Sequence, residues 1–182
     1  MIYFITTWTT AGQITGTGFT PDGTIPKGAV VCTEEQAKNA SQYVMDTSTT
    51  PPTVVNAPSA VLLAQAQSSQ IALLQSAFQK AEQAPVSLTL ASGVTTAFGM
   101  TPHDWTKIVG LYSKYVVKGD PVPSGYPLPD VNMILHFVTK ADIDNLFEAG
   151  KAQIDNAVSK LASLLESVNT ATTVEAVKSI NW

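Results

Sequence analysis

An α+β protein is expected: a small N-terminal β-rich unit, a Pro/Thr-rich joint, then a C-terminal domain with two long helices, a short hairpin and a capped C-terminal helix. Three features of the 182 residues point there. β-branched and aromatic runs, broken by glycine and proline turns, fill residues 1–56, as short strands do. Apolar residues, with one polar defect at Gln67, then recur at alternating spacings of four and three through 60–81 and 143–168, the period of helices that bury one stripe. Between these regions "TSTTPPTVVNAPS" (47–59) gathers threonine and proline into an extended linker. The domains expected are therefore 1–56 and 57–182.

In the N-terminal unit, "MIYFITTW" and "GQITGTGF" flank Thr9, Thr10 and Ala11 and predict a hairpin. "TPDGTIPKG" (20–28) is turn chemistry, and "AVVC" is a short strand. Thr33 caps a brief helix with Glu34, Glu35 and Gln36 in its first turn. "YVMD" returns as a strand. At about 56 residues this unit is marginal alone, whereas the remaining ~120 residues suffice for a core.

The C-terminal domain opens with a helix over 59–83, capped by Ser59, with a seam at Ala60, Ala64, Gln67, Ile71, Leu74, Phe78 and Ala81. Residues 86–90 and 94–98 flank Ala91-Ser92-Gly93 and predict a hairpin. Thr101 caps the next helix, with Pro102 at its first position, Asp104 in its first turn and a stripe of Trp105, Ile108, Val109, Tyr112 and Val116. Gly119 ends it, and 120–130 is a proline loop. "VNMILHFV" (131–138) reads as an apolar strand central in its sheet. Thr139 caps the longest helix, 140–168, with Asp142 completing the cap. Its seam is Ile143, Phe147, Gly150, Ile154, Ala157, Leu161, Leu164 and Val168. Thr172 and Glu175 form a capping box for a last helix, 173–180.

Two arrangements fit the long helices: packing on each other within one subunit, or a coiled coil between chains. Gly150 and Ala157 favour the first, because self-associating seams use larger knobs. They suit close approach by a bulky neighbour such as Phe78.

Charged residues make up 13% of the chain, about half the usual ~25%, so the surface is mostly Thr, Ser, Gln and Asn. Such a surface suits a subunit packed into an assembly. All ten basic residues are lysine and the net charge is −4. Without arginine or a lysine cluster, neither nucleic acid nor an anionic membrane is an expected partner. Residues 1–8 lack a basic region and a cleavage site, and no apolar run approaches ~20 residues.

No catalytic, cofactor or metal residues are expected. Cys32 is the single cysteine and reads as a small buried hydrophobe at a strand end. His103 and His136 lie far apart, outside any spaced metal pair; the first reads as solvated and the second as a sheet-face residue. "TGTGF" (15–19) lacks the third glycine and the helix of a phosphate loop. Asp142 and Asp144 point to different helix faces. The candidates for interaction are aromatic: Trp8, Tyr126 among its prolines, and Trp182. A terminal tryptophan needs cover, from its own domain or from a partner.

"AQAQSSQIALLQSAFQKAEQAPVSLTLASGVTTAF" and "VNMILHFVTKADIDNLFEAGKAQIDNAVSKLASLLESVNTATTVEAVKSINW" resemble a domain of unknown function common in tailed phages and prophages. That family's pattern is a Gln/Ala-rich helix, a hairpin around "GVTxxF", a strand ending "F-T-x-A-D-L", and a long helix. It closes with "V-x-x-A-T-T-x-x-A-V-x-x-I-x-W". Thr139, Ala141 and Asp142 match "T-x-A-D-L", with Ile143 in place of leucine; 171–177 and Trp182 match the ending. The resemblance covers about residues 60–182. Residues 1–58 are more loosely similar to the N-terminal parts of tail-fibre and tail-fibre-assembly proteins.

The resemblance implies a structural component of a bacteriophage tail, in the fibre or baseplate region, acting through protein–protein contacts. It implies no enzyme and no cofactor. Its partners would be other phage tail proteins or further copies of the chain. Its place would be the virion tail, after synthesis in the host cytoplasm. The alternative is a tail-fibre assembly chaperone not retained in the virion. The recurrent ending implies that the last helix and Trp182 fold back over the end of the long helix.

Overall fold

A computed structural model describes all 182 residues. Helix accounts for 47% of them and strand for 23%, with the strands gathered early and the long helices late, so the fold is α+β. The residues cluster into two compact units: Met1–Ser68 with Thr172–Val177, and Ser69–Ala171 with Lys178–Trp182.

In the first unit, β1 (Ile2–Trp8) and β2 (Ile14–Thr20) pair antiparallel, and β3 (Val30–Cys32) flanks β1 on the other side. β1 is central, which is why Phe4 and Ile5 are buried. Gly12 turns the hairpin at φ 80°, where an added Cβ would stand 2.5 Å from the Met45 carbonyl oxygen. Thr33 caps α1 (Glu34–Lys38) in a full box with Gln36.

The linker expected at 47–59 is partly a strand. β5 (Thr53–Asn56) pairs antiparallel with β4 (Tyr43–Asp46). Pro51 and Pro52 fall before the ladder, where no N–H is needed, and the β-branched residues after them take strand geometry. Asp46 organises the turn, its Oδ1 accepting from the N–H and the hydroxyl of Ser48.

α2 (Ser59–Glu82) starts one residue earlier than a Ser59 cap implies, with the Pro58 carbonyl accepting from Val61 and Leu62. Its buried residues are Gln70 and Leu74, whereas Ala60 and Ala64 of the expected seam are exposed. Gln70 is tolerated inside because its side-chain amide donates to the Ile180 carbonyl.

In the second unit, β6 (Val86–Thr89) and β7 (Thr95–Phe98) form the expected hairpin, closed by Gly93 at φ 84°. α3 (Pro102–Leu111) begins on a capping box of Thr101 and Asp104. It continues unexpectedly as a π-helical turn, Tyr112–Val117, in which Lys118 N–H reaches back to Ser113. Val109 of the expected stripe is exposed; Leu111 and Tyr115 are buried in its place. Tyr112 and Trp105 both stack on Phe147, at ring separations of 3.8 and 5.5 Å.

α4 (Lys140–Thr170) runs from a Thr139–Asp142 box, and all eight residues of its expected seam are buried or half-buried. The neighbour at Gly150 is not Phe78, however. A Cβ there would meet Met100 Cε at 2.5 Å and Trp105 at 2.7 Å. Gln153 ties α4 to the end of α2 through the carbonyls of Glu82 and Ala84. α5 (Val174–Ser179) is capped by Thr173, whose hydroxyl accepts from Ala176 N–H, one residue later than a Thr172 box implies.

Two glycines in helices separate packing from propensity. Gly110 has open space at its Cβ position, so Gly110→Ala is expected to stabilise by up to about 1 kcal/mol. Gly150→Ala gains the same propensity but presses on Trp105, so a net loss of about 1 kcal/mol is expected. Denaturant unfolding of the two variants checks the opposite signs.

Candidate functional site

The segment expected as a proline loop and a central apolar strand is a hairpin. β8 (Tyr126–Pro129) pairs antiparallel with β9 (Leu135–Val138) in a sheet of their own. Period-two alternation sends Leu128, His136 and Val138 inward and Pro127, Leu135 and Phe137 outward. Because no second sheet layer covers it, the outward side is bare: Leu135 is 60% exposed and Phe137 67%. The connecting tip adds Met133 at 79% and Ile134 at 57%. Exposed apolar side chains gathered in this way are a common feature of interaction surfaces.

The tip is held rigidly by Asp130, which is buried at its base. Oδ1 accepts from the N–H groups of Asn132 and Ile134, at 2.8 and 2.9 Å. Oδ2 accepts from the Thr96 hydroxyl at 2.8 Å and from His136 Nε2 at 3.1 Å. An ionised carboxylate only accepts, so His136 Nε2 carries the hydrogen. Val131 N–H adds a bond to the Ala97 carbonyl of β7. Met133 adopts φ 63°, a left-handed conformation that an unbranched L-residue keeps only when its surroundings enforce it.

Burial works to raise the Asp130 carboxyl. The Ile134 N–H, the Thr96 hydroxyl, His136 and the Asn132 N–H outweigh it and hold the group at about 2, below the ordinary 3.8. A depressed carboxylate contributes stability above its unfolded value and loses it as pH falls through the folded one. The tip is therefore expected to loosen between about pH 4 and pH 2. Amide exchange at Asn132 and Ile134 checks this: protection should fall across that window in the native chain. Asp130→Ala, which removes the acceptor, should already lack most of that protection at pH 6.

The aromatic candidates do not converge. Trp8 is half-buried at the end of β1, opposite Ile14. Tyr126 opens β8 and faces inward, tilted against the buried Tyr115 at 6.2 Å. Trp182 lies edge-on to Phe78 at 6.3 Å, with the Lys160 ammonium 5.0 Å from its ring, so its own unit covers it. The residues that form the exposed site are instead Met133, Ile134, Leu135 and Phe137, set by Asp130 and Thr96. Nothing in the sequence singles them out, because "ILHFV" is apolar except for His136, and period two would turn the wholly apolar Leu135 and Phe137 side inward.

Elsewhere the chemistry is sparse. No group of three His, Cys, Asp or Glu side chains is placed to hold a metal ion. Cys32 is half-buried, and burial pushes its thiol up, away from a reactive thiolate. His103 is exposed in the first turn of α3. A groove of about 360 Å³ lies on the first unit between Tyr3, Phe19, Ala37 and Lys38, without convergent polar groups. No helix is long and apolar enough to cross a membrane. Compared with known family models, curated proteins and solved structures, the chain matches none.

Proposed function

We propose that this protein is a structural component of a bacteriophage tail, in the fibre or baseplate region, and that it works by binding other proteins rather than by catalysis. The observation that supports a binding role is the β8–β9 tip, where apolar side chains are displayed on a braced loop. Rigid display lowers the entropy lost on association, which is what an assembly contact requires. The charge-poor surface agrees with packing among neighbours. The tail itself is drawn from the likeness of residues 60–182 to a domain common in tailed phages, and the reading carries with it a place in the virion after synthesis in the host cytoplasm.

Mass spectrometry of purified virions tests this. The chain is expected at a fixed ratio to the tail proteins, and its absence would overturn a structural role. An exposed apolar face also suits a chaperone that shields a fibre protein and then leaves. That reading requires a fibre protein to become soluble on co-expression while mature virions lack the chain.

A further inference from the structure

The outer edge of β9 is open to backbone pairing. Asp130 N–H donates to the Ile134 carbonyl at 2.9 Å, and Pro127 and Pro129 have no N–H to give, which fixes the phase of the ladder. Tyr126 with Val138 and Leu128 with His136 are the hydrogen-bonded pairs. Leu135 and Phe137 therefore turn their N–H and C=O groups away from β8, and no third strand meets them. Natural sheets guard such edges with charge or proline. The outer edge of β8 has its two prolines, but β9 has neither device. The sole Asp, Glu or Lys between residues 121 and 138 is Asp130, which is buried.

We propose that β9 pairs with β9 of a second copy of this chain, antiparallel about a two-fold axis at His136. This names a partner for the edge of the hairpin that carries the exposed face and rests on the reading of that hairpin as a protein–protein surface. In that register Leu135 lies opposite the partner's Phe137, and Phe137 opposite the partner's Leu135. Each of the outward N–H groups then meets a carbonyl, and the contact is self-complementary as a two-fold interface must be. The same register lays the tip, with Met133 and Ile134, along the end of the partner strand. The exposed parts of Met133, Ile134, Leu135 and Phe137 come to on the order of 500 Å² per protomer. Edge pairing covers only the flanks of these side chains, so two copies bury less than the roughly 1,000 Å² of a standard specific interface, and the contact is a weak one. No exposed charge in 121–138 opposes the approach of like chains.

Sedimentation of the full chain over about 1–200 μM is expected to show a monomer–dimer equilibrium in the micromolar range. Leu135→Pro removes one outward N–H from each protomer and leaves the β8–β9 ladder intact. With two hydrogen bonds lost, the dissociation constant should rise about 100-fold. Phe137→Lys installs the missing guard and should likewise give a monomer; it decides the matter if the proline variant loses its circular dichroism. In the native chain the Leu135 and Phe137 amides should exchange at least tenfold more slowly at high than at low concentration. A native chain that stays monomeric throughout, or a dimer that survives in both variants, overturns the pairing. A monomeric chain that is still found in virions would overturn this inference and leave the tail role standing.

Discussion

Phe98→Ala is expected to destabilise the protein by about 4 kcal/mol, measured as a fall in denaturant midpoint with an unchanged slope. Phe98 is the last residue of β7, 1% exposed, and among the largest fully buried side chains. Its ring stands 6.2 Å from that of His136, edge to face, and it shares a lining with Ile108 and Leu128. It therefore touches α3 and both hairpins of the second unit. Cutting it back leaves a void that these elements cannot collapse into together, because each is held by its own backbone bonds. The expected loss has a local signature too. His136 loses the ring it leans on, so the Asp130 bonds that brace the tip should weaken. A loss under about 1 kcal/mol would mean that Phe98 is not the joint between the hairpins. Intact protection of Asn132 and Ile134 in an otherwise destabilised variant would detach the core from the tip.

What could be read from the chain beforehand was whatever depends on neighbours in sequence. The caps expected at Thr33, Thr101 and Thr139 are four-residue patterns with one geometric outcome, and all three form, each as a full box. The α4 seam is a long periodic signal, and its buried side follows. The hairpin at Gly93 needs only a turn residue between two β-rich runs. Errors arise where a distant partner decides. Gln70 is buried because Ile180, far along the chain, offers a carbonyl. Gly150 admits Met100 and Trp105 rather than Phe78, a choice that spacing on one helix cannot express. The run 131–138 looked like a central strand because it is apolar except for Asn132 and His136. It is in fact a strained tip and a short edge strand whose apolar side has no cover. The exposed site was hidden for the same reason: Thr96, on β7, helps Asp130 shape a loop that begins 34 residues later.

Asp142→Ala is expected to cost about 3 kcal/mol, more than the ~1 kcal/mol of an ordinary cap. Asp142 is buried at the third position of α4 and serves two elements. Its Oδ2 accepts from the N–H and the hydroxyl of Thr139, at 2.8 and 2.7 Å, which fixes the start of the helix. Its Oδ1 accepts from the Ala91 N–H at 2.7 Å, which holds the β6–β7 turn against that start. Truncation removes the cap and also leaves the Ala91 N–H without a partner. Burial works to raise the Asp142 carboxyl, but the bonds from Thr139 and Ala91 prevail and hold it below 3.8. Its contribution is therefore complete near neutral pH and fades as acid protonates the folded state. Thr139→Ala isolates the cap, and its expected cost is about 1 kcal/mol. Asp142→Asn keeps one acceptor oxygen and loses the charge at the helix start, so it should fall between the two. In a double-mutant cycle Thr139 and Asp142 should couple, while roughly half of the Asp142 effect should survive in a Thr139→Ala background as the share belonging to Ala91. If Asp142→Ala costs no more than Thr139→Ala, the bond to Ala91 contributes nothing and the hairpin is held to α4 by apolar packing alone.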